Sequence, residues 1–247
     1  STRIIMSQFP TLKILAFAAH PDDVELAASG TLMKHINMGH ACGIIDLTRG
    51  ELGTRGSAEL RDQEAASSAK IMGLTVRDNL NLGDGFFEEN EETLLKVIAE
   101  IRKYKPQIVL ANAISDRHPD HGRAASLVSR ACFLSGLPKI VCDHEGMNLP
   151  AHRPKTIYNY IQDRNIGPNL IVDISDEYKQ KMATIMAFKS QFYDPNSEEP
   201  QTPISGQDFL SFLEARAQEY GRLIGCKYGE GFTTERCIGT SNLLDIL

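Results

Sequence analysis

The chain has 247 residues, 42% hydrophobic and 23% charged, a composition that supports a sizeable core without disulfide or metal staples. Lys and Arg number 26 against 32 Asp and Glu, and the net charge of −6 excludes the basic face a general nucleic-acid binder needs. No apolar run reaches the roughly 18–20 residues of a membrane span, and residues 1–10 lack the apolar stretch of a signal peptide. Cys42, Cys132, Cys142, Cys226 and Cys237 form no C-x-x-C pair, so a cytoplasmic protein with small buried thiols is expected.

Residues 12–18 are a short apolar run that predicts a buried strand. Behind it Val24, Ala27, Ala28, Leu32 and Ile36 share one helical face, with Asp22 or Asp23 as N-cap and Gly39 closing the helix. A second strand is predicted over 41–47, then a Gly-rich loop over 48–56, then a helix over 58–72. A helix over 93–104, a strand over 107–111 and a helix over 122–133 follow, with residues 118–121 in the connecting loop. Strands over 157–161 and 170–174 complete the sheet, and helices over 176–188 and 206–223 flank a Pro-containing loop over 190–205. This alternation predicts an α/β fold: a Rossmann-like, mostly parallel sheet with helices on both faces, one domain over 1–247 with a flexible segment at 1–10.

Two acidic-histidine clusters fall where such a sheet places its ligands, outside the carboxyl ends of the strands. They are His20-Pro21-Asp22-Asp23 and His118-Pro119-Asp120-His121. The first occupies the loop in which a dinucleotide-binding domain carries its glycines, and its carboxylates would repel a pyrophosphate, so that reading fails. Two imidazoles and a carboxylate from two loops suit a hydrolytic zinc site with three protein ligands and an open position. The same donor set suits Fe(II), so the ligands leave the metal open. The remaining carboxylate and histidine are available as proton acceptor and donor. Taken singly, Asp22-Asp23 would be a helix cap and His118 a capping or surface residue.

The segments 19–25 (Ala19-His20-Pro21-Asp22-Asp23-Val24-Glu25), 118–121 and 45–56, with Glu59-Leu60-Arg61, Ser190-Gln191-Phe192 and Glu230-Gly231-Phe232, resemble the PIG-L/LmbE family of zinc-dependent N-acetylglucosamine deacetylases. The likeness runs along nearly the whole chain and is greatest to the bacillithiol-pathway branch, which acts on N-acetylglucosaminyl-malate. The resemblance implies His20, Asp23 and His121 as ligands of one zinc per subunit, and Asp22 as general base. It implies His118 as oxyanion stabiliser or general acid, with Asp120 setting its orientation and charge. Arg61 matches a position that holds sugar hydroxyls, Arg153 is a weaker match, and the family implies a homo-oligomer, in some members a hexamer. Arg49, Arg55 and Arg117 lie in loops expected near the metal, and Arg49 or Arg55 is expected to bind the malate carboxylates. The alternatives are deacetylation of N-acetylglucosamine or chitooligosaccharides, or a non-catalytic sugar- or metal-binding module. The Gly-rich loop is a candidate flap over the site, and Phe86, Phe87, Phe192 and Tyr193 are read as packing residues.

Overall fold

The apolar run after Leu12 forms β1 (Ile14–Ala18), and the alternation of its side chains fixes the layers. Leu15 and Phe17 enter one core with Val97, Ile98, Leu127 and Val128, while Ile14, Ala16 and Ala18 enter a second core with Val24, Leu32 and Met33. The central strand is therefore apolar on both faces, as a strand covered on both sides must be. The structure is a computed structural model that describes residues 9–192 and 194–246. The segment expected to be flexible lies outside these residues except at Phe9 and Pro10, and so does Tyr193.

In chain order the remaining elements are α1 (Asp23–Ala27), α2 (Ser29–Asn37), β2 (Cys42–Asp46), α3 (Ala58–Met72), β3 (Val76–Asn79), α4 (Glu91–Tyr104), β4 (Ile108–Ala111) and α5 (Pro119–Leu134). A small hairpin, β5 (Asp143–His144) and β6 (Met147–Asn148), precedes β7 (Thr156–Tyr160), β8 (Leu170–Asp173), α6 (Tyr178–Met186), α7 (Gln207–Ile224) and β9 (Gly229–Thr234). The main sheet runs β3-β2-β1-β4-β7-β9-β8. Pairing is parallel from β3 through β7 and antiparallel on both sides of β9. The expected α/β fold with a mostly parallel sheet is what the chain adopts. The loops after β1, β2, β3, β4 and β7 meet at one edge, joined there by the start of β9.

Four expectations need correction. The helix expected to run from Val24 past Ile36 breaks at Ala28 (φ −144°, ψ 7°) into α1 and α2. Asp22 takes the N-cap position of α1 at φ 116° without a side-chain cap bond, so its carboxyl is free to face the sheet edge. Residues 118–121 are not loop: His118 is the N-cap of α5, and Pro119 to His121 form its first turn. Finally, β3 and β9 were not expected as strands, and β9 separates β7 from β8.

The break at Ala28 is held from a distance. Glu230, on β9, accepts hydrogen bonds from Gly30 N (2.9 Å), Thr31 N (2.7 Å) and Thr31 Oγ1 (2.6 Å), satisfying N–H groups that the first turn of α2 leaves open. Lys181 Nζ donates to the same carboxylate at 2.7 Å, with both residues buried. Glu230→Ala would strand a buried ammonium and two helix N–H groups, so stability should fall by about 3–5 kcal/mol, read from urea midpoints. Glu230→Gln should lose clearly less, and equal losses would mean that charge pairing with Lys181 is unimportant.

Candidate active site

The site is built on two turns that face each other, the start of α1 after β1 and the start of α5 after β4. Asp23 is their common point. Its Oδ2 accepts from the His20 backbone at 2.8 Å and Asn112 Nδ2 at 3.0 Å, and its Oδ1 accepts from Gln162 Nε2 at 3.1 Å. The same carboxylate lies 3.6 Å from His20 Nδ1 and 3.2 Å from His121 Nε2.

The far side of each ring decides its tautomer. His20 Nε2 lies 3.0 Å from Asp84 Oδ1 and 3.3 Å from Asp120 Oδ2, and His121 Nδ1 lies 2.6 Å from Asp116 Oδ2. An ionised carboxylate only accepts, so these nitrogens carry the protons, and in the neutral rings the lone pairs sit on His20 Nδ1 and His121 Nε2. Both then face Asp23. Carboxylate-backed imidazoles around a carboxylate are the pattern by which proteins orient metal-ligating histidines. The donor set expected from the resemblance therefore fits a divalent cation. His118 also brings a ring nitrogen within 4.8 Å of donor atoms of His20 and His121. Its Nδ1, however, accepts the Asp120 backbone N–H at 3.2 Å, which puts the proton of the neutral ring on Nε2 and removes the lone pair a cation would need.

Burial shapes the charges. Desolvation pushes the Asp22 carboxyl up to about 7, opposed by the Arg61 guanidinium and reinforced by Asp23. His121 is lowered by burial but raised more by Asp23 and Asp116, reaching about 9. Asp23, although penalised by burial, is held well below the usual carboxylate range by His121 and His20. His118 is lowered by burial and by the neighbouring His20 and His121 charges.

Arg61, in the first full turn of α3, is buried and reaches Asp22 Oδ2 and the Gly50 carbonyl, both at 3.4 Å. Among the described residues its buried Nε has no partner. Gly50 (φ +63°) permits this approach, since a Cβ there would lie 1.7 Å from Arg61 Nη1. Beneath the site Arg77 bridges Asp46 (2.9 Å to Oδ2) and Glu25, with which it makes a very short contact, tying α1 to β2 and β3.

The structure brings His20, Asp22, Asp23, Arg61, Arg117, His118 and His121 into one cavity of about 390 Å³ and leaves three arginines outside it. Arg49 forks onto Asp62, 2.6 Å away, and also meets Glu59. Arg55 turns to Glu199 and Ser197, and exposed Arg153 stacks on Phe133. Arg49 and Arg153 find acceptors near the surface, at Asp62 and the Phe133 carbonyl, whereas Arg55 is buried against the segment of Ser197 and Glu199. Asp120 bonds His118 only through its backbone, while its carboxylate serves His20, Gly85 N and Arg123. Asp84, Asp116, Asn112 and Gln162 were not anticipated. Asp84 follows β3 between two glycines, so that strand would have pointed to it; Gln162 has no local signal. Asp116→Ala should weaken zinc binding by about 10–100-fold in calorimetry, as loss of an orienting partner does. Unchanged affinity would mean that His121 is not a ligand.

Residues 15–132 match the sequence model of the PIG-L family, described as GlcNAc-PI de-N-acetylase. The diacetylchitobiose deacetylase of Thermococcus kodakarensis is 29% identical over 231 residues, covering 89% of this chain and 81% of that one. A 4-oxalmesaconate hydratase of Pseudomonas putida is 24% identical over 201 residues, 74% of this chain and 75% of that one. The structure of a conserved protein from Thermus thermophilus superposes with a TM-score of 0.82 at 33% identity, covering 93% of this chain and 97% of that one. With the family match spanning both histidine-aspartate turns and the fold shared end to end with such a relative, the chain belongs to the PIG-L family.

Proposed function

We propose that the protein hydrolyses the N-acetyl group of a neutral N-acetylglucosamine-type sugar, of the chitooligosaccharide kind. The observation that carries this reading is the convergence of His20 Nδ1, Asp23 and His121 Nε2 beside the buried Asp22 in a cavity that also holds Arg61. Two findings favour a neutral sugar over N-acetylglucosaminyl-malate: the similarity to a diacetylchitobiose deacetylase, and the ion pairs that keep Arg49 and Arg55 out of the cavity. A buried dicarboxylate would need such forked donors.

His20, Asp23 and His121 would hold the cation, which we take to be zinc; when bound it polarises a carbonyl and lowers the pKa of water. Asp22 accepts the proton of the attacking water. It projects from a backbone at φ 116° and is oriented by Arg61, so it need not move to do so. His118 presents Nε2–H toward the cavity, where it donates to the oxyanion that develops on the amide oxygen. The C–N bond breaks, the nitrogen takes a proton, and acetate and a free amine leave. Arg61 and Asp84, which line the cavity, offer a donor and an acceptor to sugar hydroxyls.

Acetate release by the zinc-loaded protein from diacetylchitobiose, N-acetylglucosamine and N-acetylglucosaminyl-malate is the test. The neutral sugars should be turned over at least as efficiently as the malate conjugate. Strong preference for the conjugate would restore the bacillithiol assignment, and no acetate from any of them would overturn deacetylation. Asp22→Asn should keep bound zinc while kcat falls by about 10²-fold or more.

A further inference from the structure

The cavity carries an apolar wall that sugar hydroxyls do not call for. From the His20–Asp23–His121 cluster it extends along two flanks. On one, the loops after β2 and β3 bring Thr54 and Asp84, and α3 brings Arg61. On the other, beyond Gln162, its wall is Ile161, Ile204, Phe209, Phe212 and Leu213, with Leu26 one turn after Asp22. The loops of the first flank follow β2 and β3 on one side of the β1–β4 pair and Ile161 of the second follows β7 on the other, while Leu26, Ile204, Phe209 and Leu213 also pack against the cluster that includes Ala65 of α3.

The charged residues of the second flank are already paired. Lys181 is bound to Glu230 at 2.7 Å, and Arg216 donates to the Gln162 and Asp163 carbonyls at 2.9 and 3.1 Å. Arg216 also lies over the rings of Phe212 and Tyr220, covering rather than interrupting the apolar wall. Apart from the Thr202 hydroxyl, which has no partner among the described residues, this flank has little to offer sugar hydroxyls or a carboxylate, and much to offer hydrocarbon.

We propose that this flank is an acyl-chain subsite, and that the substrate class includes amino sugars carrying an N-acyl chain several carbons longer than acetyl. The inference rests on the hydrolytic reading above. A secondary amide is trans, so the sugar on its nitrogen and the chain on its carbonyl carbon leave the C–N bond in opposite directions. With the carbonyl at the cluster and the sugar on the Arg61–Asp84 flank, the chain enters the flank lined by α7. The reaction is unchanged in kind: water oxygen bonds the carbonyl carbon, the C–N bond breaks, and a fatty carboxylate and a protonated amine leave.

The experiment compares the zinc-loaded protein on N-acetyl-, N-butanoyl-, N-hexanoyl- and N-octanoylglucosamine below micellar concentrations, alongside the octyl glycoside of N-acetylglucosamine. Efficiency (kcat/KM) should rise with N-acyl length, by up to about fourfold per buried methylene until the flank is filled. Ala217→Leu, which intrudes from α7, and Phe212→Ser at the partly exposed rim should each lower the octanoyl-to-acetyl ratio. A flat or falling profile, or a gain confined to the octyl glycoside, overturns the acyl subsite while leaving deacetylation intact. If no sugar amide is cleaved, the hydrolytic reading fails, and calorimetry decides the subsite: tighter binding of N-octanoylglucosamine than of N-acetylglucosamine supports it, and equal or absent binding overturns it.

Discussion

The Asp23 carboxylate, buried and shared between two histidine rings, is the interaction on which the site depends. A carboxylate this far from water stays ionised only where enough donors and positive charge surround it. Asn112, Gln162 and the His20 backbone supply the donors, and they follow β4, β7 and β1, so the sheet itself sets the pocket for this one group. The histidines are in turn fixed by carboxylates on their outer sides. Ring, inner carboxylate and outer carboxylate form one network in which each buried charge is offset by a neighbour, and the inner ring nitrogens face the same carboxylate, that of His121 also lying 3.4 Å from Gln162 Nε2.

What surrounds the network explains why its members face the right way. Asp22 sits at a positive φ at the N-cap of α1 without a side-chain cap bond, and the short α1 that follows it is tied to β2 and β3 through Glu25 and Arg77. The chain then breaks at Ala28, and Glu230 secures the new helix from the far end of the sequence. Gly50 lets Arg61 come against Asp22. Glu25, Arg77, Gly50 and Glu230 thus determine how the Asp22 carboxylate is presented.

Much of this was legible in the sequence. The two His-Pro-Asp segments stood at strand-to-helix junctions, and a donor set of that kind has few other uses. β1, α3 and α7 announced themselves by apolar runs and helical periodicity. Other parts carried no local signal. β3 is a partly exposed Val-Arg-Asp-Asn edge strand, and β9 is rich in glycine and threonine; both are strands only because neighbours complete their hydrogen bonds. Missing β3 hid Asp84, and Gln162 joined the network through a contact spanning 139 residues. Arg49 and Arg55 show the converse. Closeness along the chain suggested them for the site, whereas ion pairs hold Arg49 to Asp62 and the buried Arg55 to Glu199, outside the cavity.

In the proposed site His20, His121 and Asp23 take the cation, while His118 keeps its proton and stays outside the coordination sphere. X-ray absorption of the zinc-loaded protein reads this directly. It should show two imidazole nitrogens at about 2.0–2.1 Å with carboxylate and water oxygens completing the shell, unchanged in His118→Ala. A third imidazole in the wild-type spectrum that disappears in His118→Ala would contradict it.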